Sequence, residues 1–429
     1  MKQSLQTSIW SFRDLRLVLP ARALSYAGDS IALIALMLRV SGDGGPGAIT
    51  ALLLAFAVPT VVMIPFAGRI VDSYDSRTVL VWSSLLQAAA GVGLAFCHGL
   101  AATLALVCVL QVGQAVAGPA WGALIPRIVG EDLVGRTTGT SQALIGVATL
   151  AGSAVGGVLV GWSGDRGALL VDASTFLGLA LVARVVRTRR SPEPGAVRER
   201  GALMAGLRSM FADPLLRILV PALWVFVLVG EAVNVVEVFL ITDEIGLGPS
   251  GYGGVLAAQG AGAIAGAWFT GRLRTDKARS HAVLAGTAAI GVSCVLMGLA
   301  GGVVPLVIGA VAVGFGSGML NAATSTLVVT RSAELVRGRV IAALGGTARA
   351  FSLLALLLGG LAGSVLGPRA TFVTGGIGCA VAAVAAGVLL TRAGRRPAGD
   401  RPEEVEQGAA EAGPRSAVLM DSVERGVSH

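Results

Sequence analysis

Apolar residues run along this chain in stretches of about twenty, separated by short polar connections, and at 1.5 Å per residue each stretch can cross a hydrocarbon layer about 30 Å thick. The stretches lie at 17–39, 46–68, 78–97, 103–126, 138–162, 167–186, 216–241, 250–271, 280–299, 303–330, 340–365 and 370–391. They predict an all-α polytopic membrane protein of twelve transmembrane helices. The one long polar interior segment, 187–215, divides them into an N-terminal six-helix bundle, 17–186, and a C-terminal one, 216–391. A short segment, 1–16, precedes the bundles. The tail, 392–429, is rich in Gly, Ala, Pro and Glu and is expected to be disordered.

Composition agrees with lipid as the solvent. Of 429 residues, 54% are hydrophobic and only 14% charged, where a soluble chain carries about a quarter. The 61 glycines suit helices that approach closely in a membrane. No cleavable leader is read at the N-terminus, so the first span is expected to be retained. The net charge of +8 suggests nucleic acid until its distribution is considered. Arg69, Arg77, Arg127, Arg136, Arg272, Arg274, Lys277, Arg279 and Arg331 all fall in alternate connections, as does a dense run from Arg184 to Arg217. The intervening connections hold only Arg39, Arg166 and Arg369. By the positive-inside rule both termini are expected to be cytoplasmic, in a bacterial inner membrane, with the lipid bilayer and not nucleic acid as the macroscopic partner.

The halves resemble each other weakly. Pro119 opens PAWGALIPRIVGEDLVGRT, which echoes NAATSTLVVTRSAELVRGR from Asn321, and Gly156-Gly157 recurs as Gly359-Gly360 about 200 residues later. Two six-span repeats around a midplane site are the architecture of alternating-access carriers.

Between the second and third runs the chain reads GRIVDSYDSRTVL. This resembles the cytoplasmic-loop motif of the major facilitator superfamily, matching at Gly68, Asp72 and Arg77. Gly68 permits close helix approach, Asp72 can accept from free N–H groups opening span 3, and Arg77 can pair with Asp72. The resemblance implies that these three residues form a gate latching the halves in the outward-facing state; an ordinary charged turn is the other reading. SYAGDSIALIAL, GPAWGALIPRIV, GSAVGGVL and the stretch from Val233 to Gly266 are similar to the macrolide-efflux and siderophore-exporter branch, of drug:proton antiporter type. That implies the major facilitator fold and helix-packing glycines at Gly152, Gly156 and Gly157. The chain departs from the pattern in span 4, where Gln111 and Gln114 stand in a stretch without the antiporter arginine.

A charge within the hydrocarbon costs about 2.5–3.5 kcal/mol or more, so ionisable residues at depth are the functional pointers. Asp29 lies thirteen residues beyond Arg16 and Glu231 fourteen beyond Arg217, each about 20 Å into its span. Spans 1 and 7 are repeat equivalents, so the two acids are expected to face each other across a central cavity and to carry protons or a cationic group. A structural carboxylate is the other reading for Asp29. Asn234 shares the face of Glu231. Glu237 is either in the pathway or an interfacial carboxylate, and Arg22 either in the pathway or at the interface. Arg349 needs an acid, with Glu231 the candidate. Gln111, Gln114 and Asn321 either bind substrate or hold helices together. Asp172 is read as a helix cap at the start of span 6.

These readings predict a secondary transporter that exports a small molecule, a drug, macrolide-like natural product or siderophore, and functions as a monomer. The proton-motive force is the expected energy source, and no cofactor or metal is expected. Uptake by the same fold is the alternative. Neither a catalytic His, Cys and acid cluster nor a GxxxxGK[ST] loop is visible, which argues against a membrane enzyme and against an ATP-driven pump.

Overall fold

The computed structural model describes residues 8–188, 202–331 and 334–394. The tail expected over 392–429 and much of the central connection lie outside them. Ten helical segments are long and apolar enough to cross a membrane. One of these, Glu131–Val185, breaks at Gly164 (φ 70°), where a left-handed backbone reverses the chain, so it supplies spans 5 and 6. Pro249–Gly271 has the length but a glycine-diluted hydropathy, and it completes the expected twelve as span 8.

Span 1 is Arg13–Gly42 and span 2 begins at Gly44. Gly45 (φ 61°) makes the turn between them, and Pro46 then restarts the helix. Span 2 breaks at Met63 and continues as the short helix Ile64–Ser73. Span 3 is Ser76–Phe96, span 4 Leu100–Val129 and span 7 Leu216–Phe239. Span 9 is Asp276–Gly298, span 10 Val303–Arg331, span 11 Glu334–Leu366 and span 12 Pro368–Gly394. Several helices outrun their apolar stretches, most of all spans 5 and 11, because a helix continues through polar turns that hydropathy does not register.

Within the polar connection expected over 187–215, the structure places a helix at Ala202–Ala212. Leu207, Met210 and Phe211 recur at helical spacing, and Met210 packs against Leu216, Val220 and Val328. Phe211 meets Trp224 edge-on at 5.8 Å.

The repeat is visible in how glycines seat the helices. Gly152 and Gly156 of span 5 press on Ala27 and Ile31 of span 1; a Cβ at Gly152 would lie 2.4 Å from the Ala27 carbonyl oxygen. Gly359 of span 11 does the same to Ala232 of span 7. The next residue in each pair crosses to the other half: Gly157 touches Pro249 and Gly253 of span 8, and Gly360 touches Thr50 of span 2. Only a missing side chain permits these approaches.

The ends away from the basic connections carry a clasp in each half. Arg39 at the end of span 1 pairs with Asp165 at the start of span 6 and donates to the Leu94 carbonyl at 2.8 Å. In the other half Arg369, at the start of span 12, pairs with Glu244 below span 7 at 2.8 Å and reaches the Ala300 carbonyl at 2.9 Å. The acid and base have changed places between repeats.

Candidate functional site

A cavity of about 740 Å³ lies between the halves. Span 1 contributes Leu33 and Met37, span 5 Thr149 and Ser153, span 8 Tyr252 and Gln259, and span 7 the polar side chains Glu231, Asn234 and Glu237. Most of the rest of the wall is aliphatic or aromatic, and no Lys, Arg or His is among the described lining residues. A cation entering this space meets two carboxylates and no competing positive charge.

The halves meet at the end opposite the basic connections. There Gly157 lies against Gly253, Gly360 against Thr50 and Gly363 against Pro46, while Thr50 donates to the Leu356 carbonyl at 3.3 Å. Nearer the basic end, Gly139 and Gly146 of span 5, Gly271 of span 8 and Gly345 of span 11 face open space. The halves are therefore packed tightly together at the end opposite the basic connections.

Glu231 sits where span 7 faces span 11, and its Oε1 accepts from the Ser352 hydroxyl at 3.0 Å. One face of span 7 makes this seam: seven residues earlier, Trp224 stacks on Phe351 at 4.9 Å and donates to Thr347 at 3.2 Å. Glu237, about one turn beyond Asn234, is 4% exposed. It is an interior residue, not an interfacial one, and among the described residues its carboxylate has no hydrogen-bond partner. Tyr252 and Cys294 lie within its electrostatic reach.

Other expected neighbours are separated. Arg349 does not pair with Glu231; its guanidinium donates to Thr60 Oγ1 of span 2 at 2.9 Å, bridging the halves. Asp29 does not line the cavity and does not face Glu231. It points within the N-terminal bundle, where its charge acts on Asp172. Asp172 is not a cap. It lies two turns inside span 6, is 1% exposed, and leaves Oδ1 without a hydrogen-bond partner. Its place inside the 167–186 apolar run, and not at the edge of that run, was the signal available in the sequence.

Gln114 accepts from Gln87 of span 3 at 3.0 Å, so it holds spans 3 and 4 together. Gln111 is half-buried in span 4 and Asn321 is exposed on span 10, bonded back to the Ser317 carbonyl at 3.0 Å; neither lines the cavity. The Arg22 guanidinium lies over the Trp121 ring at 6.0 Å, also away from the cavity.

In the connection between spans 2 and 3, Gly68 and Asp72 lie on the short helix Ile64–Ser73. Asp75 caps span 3, accepting from the amides of Arg77 at 3.0 Å and Thr78 at 3.2 Å. Asp75 is the residue immediately before the helix, where a side-chain oxygen reaches the first free amides. The Arg77 side chain extends to the Arg184 carbonyl at the end of span 6. In the second half, Arg331 at the end of span 10 joins Asp213 and Asp276, each at 3.1 Å.

The sequence model of the Major Facilitator Superfamily matches residues 18–242 and 222–423. The chain is 26% identical to the multidrug efflux pump Tap of Mycolicibacterium fortuitum over 380 residues, covering 83% of this chain and 91% of that protein. It is 22% identical to YfiS of Bacillus subtilis, an uncharacterised MFS-type transporter, over 91% of this chain and 95% of that one. Among solved structures, a bacterial homologue of the iron transporter ferroportin superposes with a TM-score of 0.68 at 16% identity, covering 91% of this chain and all of that one. The nucleoside transporter NupG (D323A mutant) gives a TM-score of 0.70 at 12% identity over 88% of this chain and 100% of that one.

Proposed function

The chain belongs to the Major Facilitator Superfamily and is a membrane-embedded transporter, not an enzyme; from that premise we propose that it exports an amphipathic organic cation in exchange for protons. One observation carries the cargo class. The cavity between the halves is walled by apolar side chains and holds Glu231 and Glu237, with no basic side chain among its described lining residues. Apolar walls take up the body of such a cargo without demanding one shape, and a buried carboxylate without a partner gains most from a positive group. Asn234 and Gln259 add neutral hydrogen-bonding groups at the same level.

Export is supported by the likeness to the Tap pumps and by the tight packing of the halves at the end away from the basic connections. With the basic connections in the cytoplasm, cargo loads from the cytoplasmic side. Release then requires the seam at Gly157–Gly253 and Gly360–Thr50 to part while the basic end closes, the two halves rocking about the site. In that second state the connection holding Gly68, Asp72 and Arg77 serves as the latch. The cavity is completed by one chain, so a monomer suffices.

A drug-hypersensitive bacterial strain expressing the chain, challenged with cationic, neutral and anionic antibiotics, tests the reading. Raised resistance confined largely to cationic amphiphiles is expected. Unchanged resistance across the panel, or sensitisation of the kind uptake produces, overturns it.

A further inference from the structure

The carboxylates at membrane depth that the cargo cavity does not use are Asp29, which is half-buried, and Asp172, which is 1% exposed. Asp172 Oδ1 points at span 1 where Gly28 leaves no side chain: a Cβ there would lie 2.6 Å from that oxygen and 2.7 Å from Thr175 Oγ1. Asp29 is the next residue, and its charge reaches Asp172. Among the described residues neither acid has an ion pair, and Asp172 Oδ1 has no hydrogen-bond partner.

Among the described residues, the elements packed around the pair supply no countercharge. Along span 1 the nearest cation is Arg22, two turns away and lying over the Trp121 ring of span 4. Span 5 meets this stretch with Gly152 and Gly156, and span 3 meets span 6 with Gly91 against Ala173. Gln87 and Gln114 of spans 3 and 4 bond to each other. Among the described residues, Asp29 is the charged group that acts on Asp172.

The repeat shows that such a pair is not required by the fold. At the offset relating Gly156 to Gly359, Asp172 corresponds to Gly375, and that glycine packs against Val229 and Val233 of span 7. The seam between spans 7 and 12 is apolar where the seam between spans 1 and 6 is acidic.

We infer that Asp29 and Asp172 together form a proton-binding site inside the N-terminal bundle, separate from the cargo cavity, and that its loading and unloading drive the exchange. This rests on the exporter reading for its purpose but not for its existence. Two carboxylates in one low-dielectric seam cannot both stay charged without a countercharge, so one shared proton is the minimum the pair holds. Losing it places like charges across the seam and pushes spans 1 and 6 apart. Span 1 transmits that displacement: Gly152 and Gly156 grip it at Ala27 and Ile31, and one turn further Leu33 and Met37 line the cavity. A proton bound from outside leaves to the cytoplasm in each cycle, and the cargo moves the other way.

Two measurements on the purified full-length protein test this. Infrared spectra at neutral pH are expected to show a protonated-carboxyl carbonyl band in the wild type that is diminished in both Asp29→Asn and Asp172→Asn. Its absence from the wild type, or its persistence undiminished in either variant, overturns the assignment. In proteoliposomes, both variants are expected to exchange ethidium across the membrane at equilibrium at near wild-type rates while losing at least tenfold of the accumulation driven by an imposed pH gradient. Variants that keep gradient-driven accumulation, or a wild type driven by sodium in place of protons, overturn it. A wild type that moves no ethidium in either mode refutes the exporter reading, and the infrared band then decides the site independently.

Discussion

The Ser352 hydroxyl donates to Glu231 Oε1 at 3.0 Å, tying the cavity carboxylate of span 7 to span 11. Span 11 also touches the opposite half, through Gly360 on Thr50 and through Arg349 on Thr60. A cation that takes over the charge of Glu231 therefore acts on a helix that both lines its own half and seals the other. This is a direct route from cargo to seam, and it defines what the cavity variants should do.

Glu231→Gln keeps the shape and the capacity to accept from Ser352 but removes the charge. A hydrogen bond to a charged group contributes about 1.5–3 kcal/mol, so binding of a lipophilic cation should weaken about 10- to 100-fold. Glu237→Gln should cost at least as much, because that carboxylate is more deeply buried and has no other described partner. Fluorescence titration of the purified variants with ethidium measures both. Equal affinity in wild type and the double variant would remove these residues from the cargo site.

Bulk at the seam should shift the conformational balance. A Cβ at Gly157 would lie 2.6 Å from the Pro249 carbonyl oxygen, which is backbone and cannot yield. Overpacking of this kind costs about 1–3 kcal/mol, here only in the state with the seam closed. Gly157→Leu should therefore favour the opposite state. The native thiol Cys294, which lines the cavity, reports it once Cys97, Cys108 and Cys379 are replaced by Ala. A membrane-impermeant maleimide added outside right-side-out vesicles should label the leucine variant several-fold faster than its glycine parent. Labelling at the parent rate contradicts the seam's role.

The two clasps should differ in value. Arg39 is 16% exposed in its side chain and also holds the carbonyl of the buried Leu94, so Arg39→Ala strands that acceptor and should cost about 1–3 kcal/mol. The Arg369–Glu244 pair has both side chains 39% exposed, and Glu244→Ala should cost about 1 kcal/mol or less. Thermal unfolding in detergent should show the larger fall for the Arg39 variant; the reverse order refutes this ranking.

The fold was legible because a membrane span is written in residues that any sliding window registers. Span 8 was readable from the stretch 250–271 despite its dilute hydropathy, and its small residues have a packing role: Gly262 and Gly266 lie against Val311 and Phe315 of span 10. Depth could also be counted along a helix, which is how Asp29, Glu231 and Glu237 stood out. Direction around the helix axis could not. Asp29 is at the expected depth but turns into its own bundle, and its neighbour Asp172 was invisible as a partner because contact between spans 1 and 6 is set by helix packing and not by spacing. Arg349 failed for the same reason: the sequence shows that a guanidinium placed within a span needs an acceptor, while only the fold shows that Thr60, from the other half, supplies it.

Ethidium transport in everted membrane vesicles tests the central claim most directly, since there the cytoplasmic face is outermost. With the vesicle interior acidified, wild-type protein should accumulate ethidium inside, collapse of the pH gradient should release it, and the Glu231→Gln, Glu237→Gln double variant should accumulate at least tenfold less. Accumulation that ignores the pH gradient, or a double variant that loads as the wild type does, contradicts the account of an acidic cavity exporting organic cations against protons.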